Sequence, residues 1–339
     1  MKKQIYVIYT GGTIGMKMTA DGYAPSPGYL AERIAASPEF QRESMPAYTI
    51  KEYIPLLDSA NMMPDNWVQI AQDIADNYDQ YDGFVILHGT DTMAYTASAL
   101  AFMLEGLAKP VIFTGSQIPF SEDRNDAREN LITAFMLAAN YAIPEVCLYF
   151  SGKLLRGCRA VKSNADEFDA FSSPNFPPLG VAGVKITLDW NLILPPPLTS
   201  KLTIQEMSRP MVGALRLFPG IWGQVLHNIL QPPLKGLVLE AYGVGNGPDR
   251  DHEFIAALQE ATARGVVIVG CSQCERGTVN LGSYATGATL AKVGVISGFD
   301  LTPEAALTKL FYLFSAGYSP DEVKVKMQQN LRGELTVLA

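Results

Sequence analysis

Ile5-Tyr6-Val7-Ile8-Tyr9, running directly into Thr10-Gly11-Gly12-Thr13-Ile14-Gly15, is the stretch that decides the fold of this chain. Its first five residues are β-branched or aromatic and are stopped by glycine, the pattern of a short strand buried on both faces. Adjacent glycines turn the backbone sharply and, without Cβ atoms, leave room for another group to approach Thr13. Thr13 then sits at the carboxyl end of a strand, where open α/β sheets bind their ligands, and its hydroxyl becomes a candidate nucleophile. A phosphate-cradling loop and a plain structural turn are the competing readings. The dinucleotide fingerprint needs G-x-G-x-x-G, whereas the glycines here run G-G-x-x-G, and the chain has no G-x-x-x-x-G-K-[ST] match.

The same logic recurs downstream. Gly83-Phe84-Val85-Ile86-Leu87 reads as a second buried strand and ends in His88-Gly89-Thr90-Asp91-Thr92. Further strands are expected at Pro110–Phe113 and Glu145–Phe150, with helices from Pro64 towards Tyr81, from Met93 to Leu104 and from Asp126 to Tyr141. Strands alternating with helices imply parallel βαβ units. If the first two strands are neighbours, Thr13, Thr90 and Asp91 converge on one cleft. A threonine hydroxyl is a poor nucleophile until a base takes its proton, and a lysine held by a carboxylate can serve as that base. Lys162, ahead of Ser163-Asn164-Ala165-Asp166, is the candidate. The plainer reading makes Lys162 a surface lysine and Asp91 a helix N-cap. His88 suits a Ser-His-Asp triad only alongside a G-x-S-x-G elbow, which is missing, so its expected role is to support the turn. Residues 16 to 28 show no helical period and read as a mobile loop. Tyr23 in that loop is either a solvent-facing hairpin residue or a hydroxyl delivered onto Thr13 by closure.

In the second half, the breaker-rich stretch from Phe171 to Gly180 and the tract Pro195-Pro196-Pro197 precede a change in composition. The expected organisation is an N-terminal α/β domain over 1–191, a linker over 192–210 and a C-terminal α/β domain over 211–339. Strands are expected near Gly213–Leu217, Gly236–Ala241 and Val266–Val269. Thr302-Pro303-Glu304 and Ser319-Pro320-Asp321-Glu322 have the form of helix starts, the second with capping-box spacing. Cys271-Ser272-Gln273-Cys274 is a C-x-x-C without the second close pair of a metal site or the helix start of a redox pair, which leaves a structural or ligand-loop role.

Composition narrows the function classes. The 339 residues suit two domains, and 48% hydrophobic with 18% charged residues is a globular balance. A formal net charge of −8 argues against nucleic acid as a partner. No apolar stretch reaches membrane-spanning length, and the run behind Lys2 and Lys3 is too short for a signal peptide. Four cysteines fit a reducing compartment, and three histidines make a multi-histidine metal site a poor expectation.

The stretches from Tyr9 to Gly15 and from Leu87 to Met93 resemble the two signature motifs of the asparaginase/glutaminase family. The similarity continues through Asp58-Ser59, Thr114-Gly115-Ser116-Gln117, Lys162 ahead of Ala165-Asp166, and Gly243-Val244-Gly245-Asn246, and covers nearly the whole chain. The missing signal peptide resembles the cytoplasmic, type I branch of its bacterial members. The resemblance implies a larger N-terminal domain with a mostly parallel sheet and a smaller flavodoxin-like C-terminal domain. It implies hydrolysis of the side-chain amide of L-asparagine through an acyl-enzyme, with Thr13 as nucleophile and Tyr23 on a lid assisting it. Thr90, Lys162 and Asp91 would relay protons. Asp91 would also take the substrate's α-ammonium, Ser59 with the backbone from Asp58 to Ala60 its α-carboxylate, and the Thr90 N–H the developing oxyanion. Asn246 matches a residue supplied by a neighbouring subunit, so a homo-oligomer, a dimer or a tetramer of intimate dimers, is implied. No cofactor and no metal are implied.

Some type I members resemble this chain in a second, effector asparagine site. Ser272, Gln273 and Cys274 match its loop, but Glu240 stands where the effector's carboxylate would need an arginine, which predicts repulsion there and hyperbolic or only weakly sigmoidal kinetics unless a lysine or arginine folds in from elsewhere. Two other functions remain open: the ammonia-supplying amidase subunit of a tRNA-dependent amidotransferase, and a non-catalytic amino-acid sensor. One methylene in a pocket discriminates only modestly, so the preference for asparagine over glutamine is not set by the residues alone.

Overall fold

The structure is a computed structural model that describes residues 2–20, 22–198 and 201–336. Asp21 of the expected loop, Thr199 and Ser200 of the expected linker and the last three residues of the chain lie outside them. By its contacts the chain divides into two units, Met1–Gln205 and Glu206–Ala339.

In the first unit the opening apolar run becomes β1 (Gln4–Gly11), with seven of its eight residues buried. After the 3-10 turn Thr13–Gly15 come a hairpin of β2 (Met16–Thr19) and β3 (Gly22–Pro25), then α1 (Tyr29–Ala36), β4 (Ala47–Leu57) and α2 (Pro64–Asp76). Next follow β5 (Gly83–Leu87), α3 (Met93–Met103), β6 (Leu104–Glu105), β7 (Val111–Thr114), α4 (Ala127–Asn140), β8 (Val146–Phe150) and β9 (Lys153–Arg156). The unit closes with β10 (Val161–Lys162), β11 (Phe171–Ser172), β12 (Gly180–Ala182), β13 (Ile186–Leu188) and β14 (Thr203–Ile204). Eight strands form one sheet in the order β13-β12-β9-β8-β7-β5-β1-β4. From β8 to β4 the strands all run parallel, and β9, β12 and β13 continue the sheet antiparallel. The sheet is thus mostly parallel, as expected. β5 and β8 are buried throughout because helices cover such sheets on both faces. α3 is apolar nearly all round and accordingly almost wholly buried.

The structure corrects two sequence expectations. Residues 16 to 28 are not a loop throughout: β2 and β3 pair antiparallel, with Met18 opposite Tyr23, and Thr19 Oγ1 donates to Gly22 O at 2.7 Å. α2 stops at Asp76 short of Tyr81, because Asn77 turns its side-chain amide back onto Asp73 O at 2.8 Å and competes with the helix ladder. Beyond the strand ends, Glu145 and Arg156 form a buried ion pair at 2.6 Å that also binds Leu192 O and Leu194 N. Every member is paired, so the buried charges fix the chain around 192–194 without an orphaned group.

The second unit carries β15 (Val212–Arg216), α5 (Gly223–Ile229), β16 (Gly236–Ala241), α6 (His252–Ala263), β17 (Val267–Ser272), α7 (Ala285–Lys292), β18 (Val295–Ser297), α8 (Pro303–Ser315) and α9 (Pro320–Met327). Its four strands are parallel and sequential in the sheet. β18 was not foreseen, since three residues are too few to show a period. Thr302 caps α8 and Ser319 with Glu322 forms the capping box of α9, as their sequences read. Lys309 and Glu334, both fully buried, pair and tie the chain end to α8. No helix among the described residues is long and apolar enough to cross a membrane.

β1 and β5 are direct parallel neighbours, with Tyr9 opposite Leu87, and Thr10 Oγ1 donates to Leu87 O at 3.0 Å. Their two glycine turns therefore meet. A Cβ on Gly12 would lie 2.4 Å from Gly89 Cα, and one on Gly89 would lie 2.5 Å from Ser59 Oγ. Gly12 also has a φ of 91°. Gly12→Ala should lower the stability of the intact chain by about 1–3 kcal/mol in urea unfolding and depress activity, because backbone must move. Gly183→Ala, with nothing within 4 Å of the new methyl, should change stability by less than about 0.5 kcal/mol.

Candidate active site

Parallel strands end together, so the turns after β1 and β5 place Thr13 and Thr90 at the same edge of the sheet. Thr13 opens the 3-10 turn and is partly buried, and among the described residues its hydroxyl has no hydrogen-bond partner. Thr90 is only 7% exposed. Lys162, on the short strand β10, brings its Nζ to 2.8 Å from Thr90 Oγ1 and 2.7 Å from Asp91 Oδ1. The plainer reading of these two residues fails. Lys162 is mostly buried at its side chain, and α3 is capped by Thr92 without a side-chain bond, which leaves Asp91 to Lys162. An ammonium between a hydroxyl and a carboxylate can hold or move a proton at Thr90 Oγ1.

A third loop completes this edge. Asp58 Oδ1 accepts from Ala60 N at 2.9 Å and shapes the turn Ser59–Asn61, while Ser59, itself buried, accepts Thr92 Oγ1 at its carbonyl at 2.7 Å. Asp58, Ser59 and Ala60 are thereby held beside Gly89.

His88 supports the turn as expected. Its Nδ1 can only donate to Gly89 O at 2.7 Å, so Nε2 is bare and takes the Thr96 hydroxyl at 2.9 Å. Burial pushes its pKa down to about 4, and the ring is neutral at ordinary pH.

Tyr23 is not at Thr13 in this structure. It stands on the β2–β3 hairpin, exposed, with its hydroxyl bonded to Glu122, and desolvation and then Glu122 raise its pKa. In the second unit, Asn246 Oδ1 accepts from Thr286 Oγ1 at 2.6 Å. Glu240, the next-to-last residue of β16, lies opposite Arg216 of β15, and the two pair at 3.0 Å. Arg216 is thus an arginine folding in from elsewhere beside Glu240, because the strand register sets it there. Gln273 donates to Leu217 O and Glu240 O, Ser272 Oγ to Gly243 O, and Cys274 N to Ser272 Oγ, so the loop is tied to the ends of β15 and β16.

Sequence reasoning missed Gln117 and Asp126. Gln117 Oε1 lies 3.2 Å from Thr90 Oγ1, and the Asp126 carboxylate accepts the backbone N–H groups of Gln117 and Ile118. Gln117 lies within one of the motifs that resemble the family, but nothing in the spacing of Asp126 points back to it.

The model for the family described as Asparaginase, N-terminal matches residues 4–194, and that described as Glutaminase/Asparaginase C-terminal domain matches residues 211–327. The protein named L-asparaginase 1 of Escherichia coli strain K12 is 53% identical over 99% of this chain and 98% of its own length. The crystal structure of L-asparaginase I from Vibrio cholerae superposes with a TM-score of 0.91 at 51% identity, covering 99% of this chain and all of that one. A glutamyl-tRNA(Gln) amidotransferase subunit of Methanobrevibacter smithii is 34% identical over 98% of this chain and 77% of its own length.

A desolvated, neutral His88 makes stability depend on pH. Between its ordinary value near 6.5 and its folded value of about 4 the unfolded chain binds the extra proton, so stability falls as pH drops through that window. The loss amounts to roughly 3 kcal/mol in all. Urea unfolding at pH 7 and pH 4.5 should show a smaller difference for His88→Gln than for the unaltered chain.

Proposed function

Because the chain belongs to the asparaginase/glutaminase family, whose two domain models it matches in succession, we propose that it hydrolyses the side-chain amide of L-asparagine to L-aspartate and ammonia. The observation that carries the site assignment is Lys162 Nζ lying between Thr90 Oγ1 and Asp91 Oδ1 at the mouth of β5. Thr13 Oγ1 attacks the amide carbon, and the proton it gives up ends on the departing nitrogen, which leaves as ammonia. The resulting aspartyl ester is cleaved by water, which returns the proton to Thr13 and releases aspartate. Thr90, Lys162 and Asp91 move protons and orient substrate or water. The Thr90 N–H, free of hydrogen bonds among the described residues, faces the oxyanion that forms. Asp91 takes the α-ammonium, and the Asp58–Ala60 turn takes the α-carboxylate. Tyr23 reaches Thr13 when the hairpin closes and exchanges Glu122 for the substrate site. Asn246 completes the site of a neighbouring copy in a homo-oligomer.

The hydrolase reading is favoured over the amidotransferase one by the higher identity and fuller mutual coverage of the E. coli relative. Retention of Thr13, Thr90, Asp91 and Lys162 together speaks against a sensor. The cytoplasm is the proposed compartment, on the strength of a cysteine content of four in 339 residues, too low for a disulfide scaffold.

Ammonia release from asparagine and from glutamine, assayed side by side, tests the reaction. Thr13→Ala should lose at least about a thousandfold in kcat while the chain stays folded and binds aspartate; substantial residual turnover would remove the ester mechanism. For the effector loop, an incoming carboxylate must compete with Glu240 for Arg216. Rate against asparagine concentration should therefore be hyperbolic, and a strongly sigmoidal curve that Cys274→Trp abolishes would show that the loop binds effector after all.

A further inference from the structure

β5 and β7 are parallel neighbours with Leu87 opposite Thr114, and Thr90 and Gln117 each lie three residues past that pair. The register thus delivers the Gln117 amide to the Thr90 hydroxyl, 3.2 Å from Oε1 to Oγ1. The other end of the amide fixes which way round it sits. Nε2 lies 3.0 Å from Ala165 O and 3.2 Å from Glu167 O, two carbonyls that can only accept. Turning the amide over would set its oxygen against both of them. Oε1 therefore faces Thr90 with no hydrogen to offer, so the Thr90 hydroxyl must be the donor.

From this we infer that Gln117 is a positioning residue that sets the direction of the Thr90 proton and joins it to the segment behind Lys162. The inference rests on the reading above, in which Thr90 and Lys162 act as one group that orients substrate or water. With its hydrogen committed to Gln117, Thr90 Oγ1 accepts from Lys162 Nζ through one lone pair and turns the other towards the cleft. A donor arriving from the cleft, a water or the Thr13 hydroxyl, then meets an acceptor. Without Gln117 the hydroxyl is free to rotate and present its hydrogen to that donor, which then loses the acceptor that orients it. The same amide holds Ala165 and Glu167, three and five residues after Lys162, so one side chain aligns both halves of the relay. Its own backbone is clamped: Gln117 N donates to both oxygens of Asp126, at 2.9 and 3.1 Å, and Ile118 N donates to Oδ1 at 3.1 Å. Asn130 Nδ2 also reaches Asp126 Oδ2 at 3.3 Å.

The test compares Gln117→Leu, Gln117→Glu and Thr90→Val in the full chain by steady-state kinetics with asparagine, with a thermal melt of each. Gln117→Leu should lose about 10–100-fold in kcat, the scale of a misaligned catalytic group, with KM within about threefold, since the amide faces carbonyls and not the substrate. In Gln117→Glu an ionised carboxylate opposes the Ala165 and Glu167 carbonyls, whereas its protonated form supplies one O–H to them. Its kcat relative to the unaltered enzyme should therefore rise as pH falls, a signature that a purely structural role would not produce. Near-normal kcat in Gln117→Leu beside an inactive Thr90→Val would overturn the inference and leave the proposed reaction standing. Full activity in Thr90→Val would instead overturn the relay itself. If Gln117→Leu does not fold, Gln117→Glu decides alone: a kcat ratio independent of pH counts against the role.

Discussion

The structure of the site depends on one steric constraint, the contact between the two glycine turns that end β1 and β5. Parallel strands at their normal spacing bring the turn backbones together only if neither carries a side chain at Gly12 or Gly89. Thr10 locks the approach by bonding across to Leu87 O, and the Ser59 turn closes over Gly89 from the third side. Everything chemical follows from that contact, because it sets two threonines and an aspartate at one edge without a helix or loop to carry them there. A site mounted on strand ends inherits the rigidity of the sheet, which is what positioned nucleophiles and dipoles require.

Electrostatics around the site is arranged by hydrogen-bond direction more than by net charge. Lys162 is the cation bonded to Thr90 and Asp91, and Asp91 is largely open to water. His88, one residue before Gly89, adds no charge because burial keeps it neutral, yet it fixes the turn by donating to Gly89 O. On the far side, burial raises the pKa of Asp126, and its carboxylate serves the backbone of the Gln117 turn. Polar groups here act mainly as fixed dipoles with assigned donors and acceptors, and such networks are specific only when every member is satisfied.

Lys162 arrives on a two-residue strand with little packing of its own, so its placement is set on either side. Upstream, the buried Arg156–Glu145 pair secures the end of β9 just before the 3-10 turn Gly157–Arg159 that leads into β10. Downstream, Gln117 holds Ala165 and Glu167. The buried pair contributes position more than stability, since its desolvation offsets much of its attraction.

Sequence alone determined the strands and turns whose causes are local. Buried β-branched runs stopped by glycine gave β1 and β5, and capping residues gave the starts of α8 and α9. It also picked out Thr13, Thr90, Asp91 and Lys162, partly through strand-end logic and partly through resemblance to a family. What only the tertiary structure decided is pairing between residues remote in the chain. That β1 lies beside β5, that Gln117 meets Thr90, and that Arg216 neutralises Glu240 are consequences of strand register, which no local pattern encodes. The hairpin at residues 16 to 25 was legible only as one of two readings of Tyr23, and the short strand β18 was hidden, because both are too brief or too exposed to leave a hydrophobic period. Periodicity records which face of an element is buried. It does not record against what, and a site made of several strand ends is defined by that second fact.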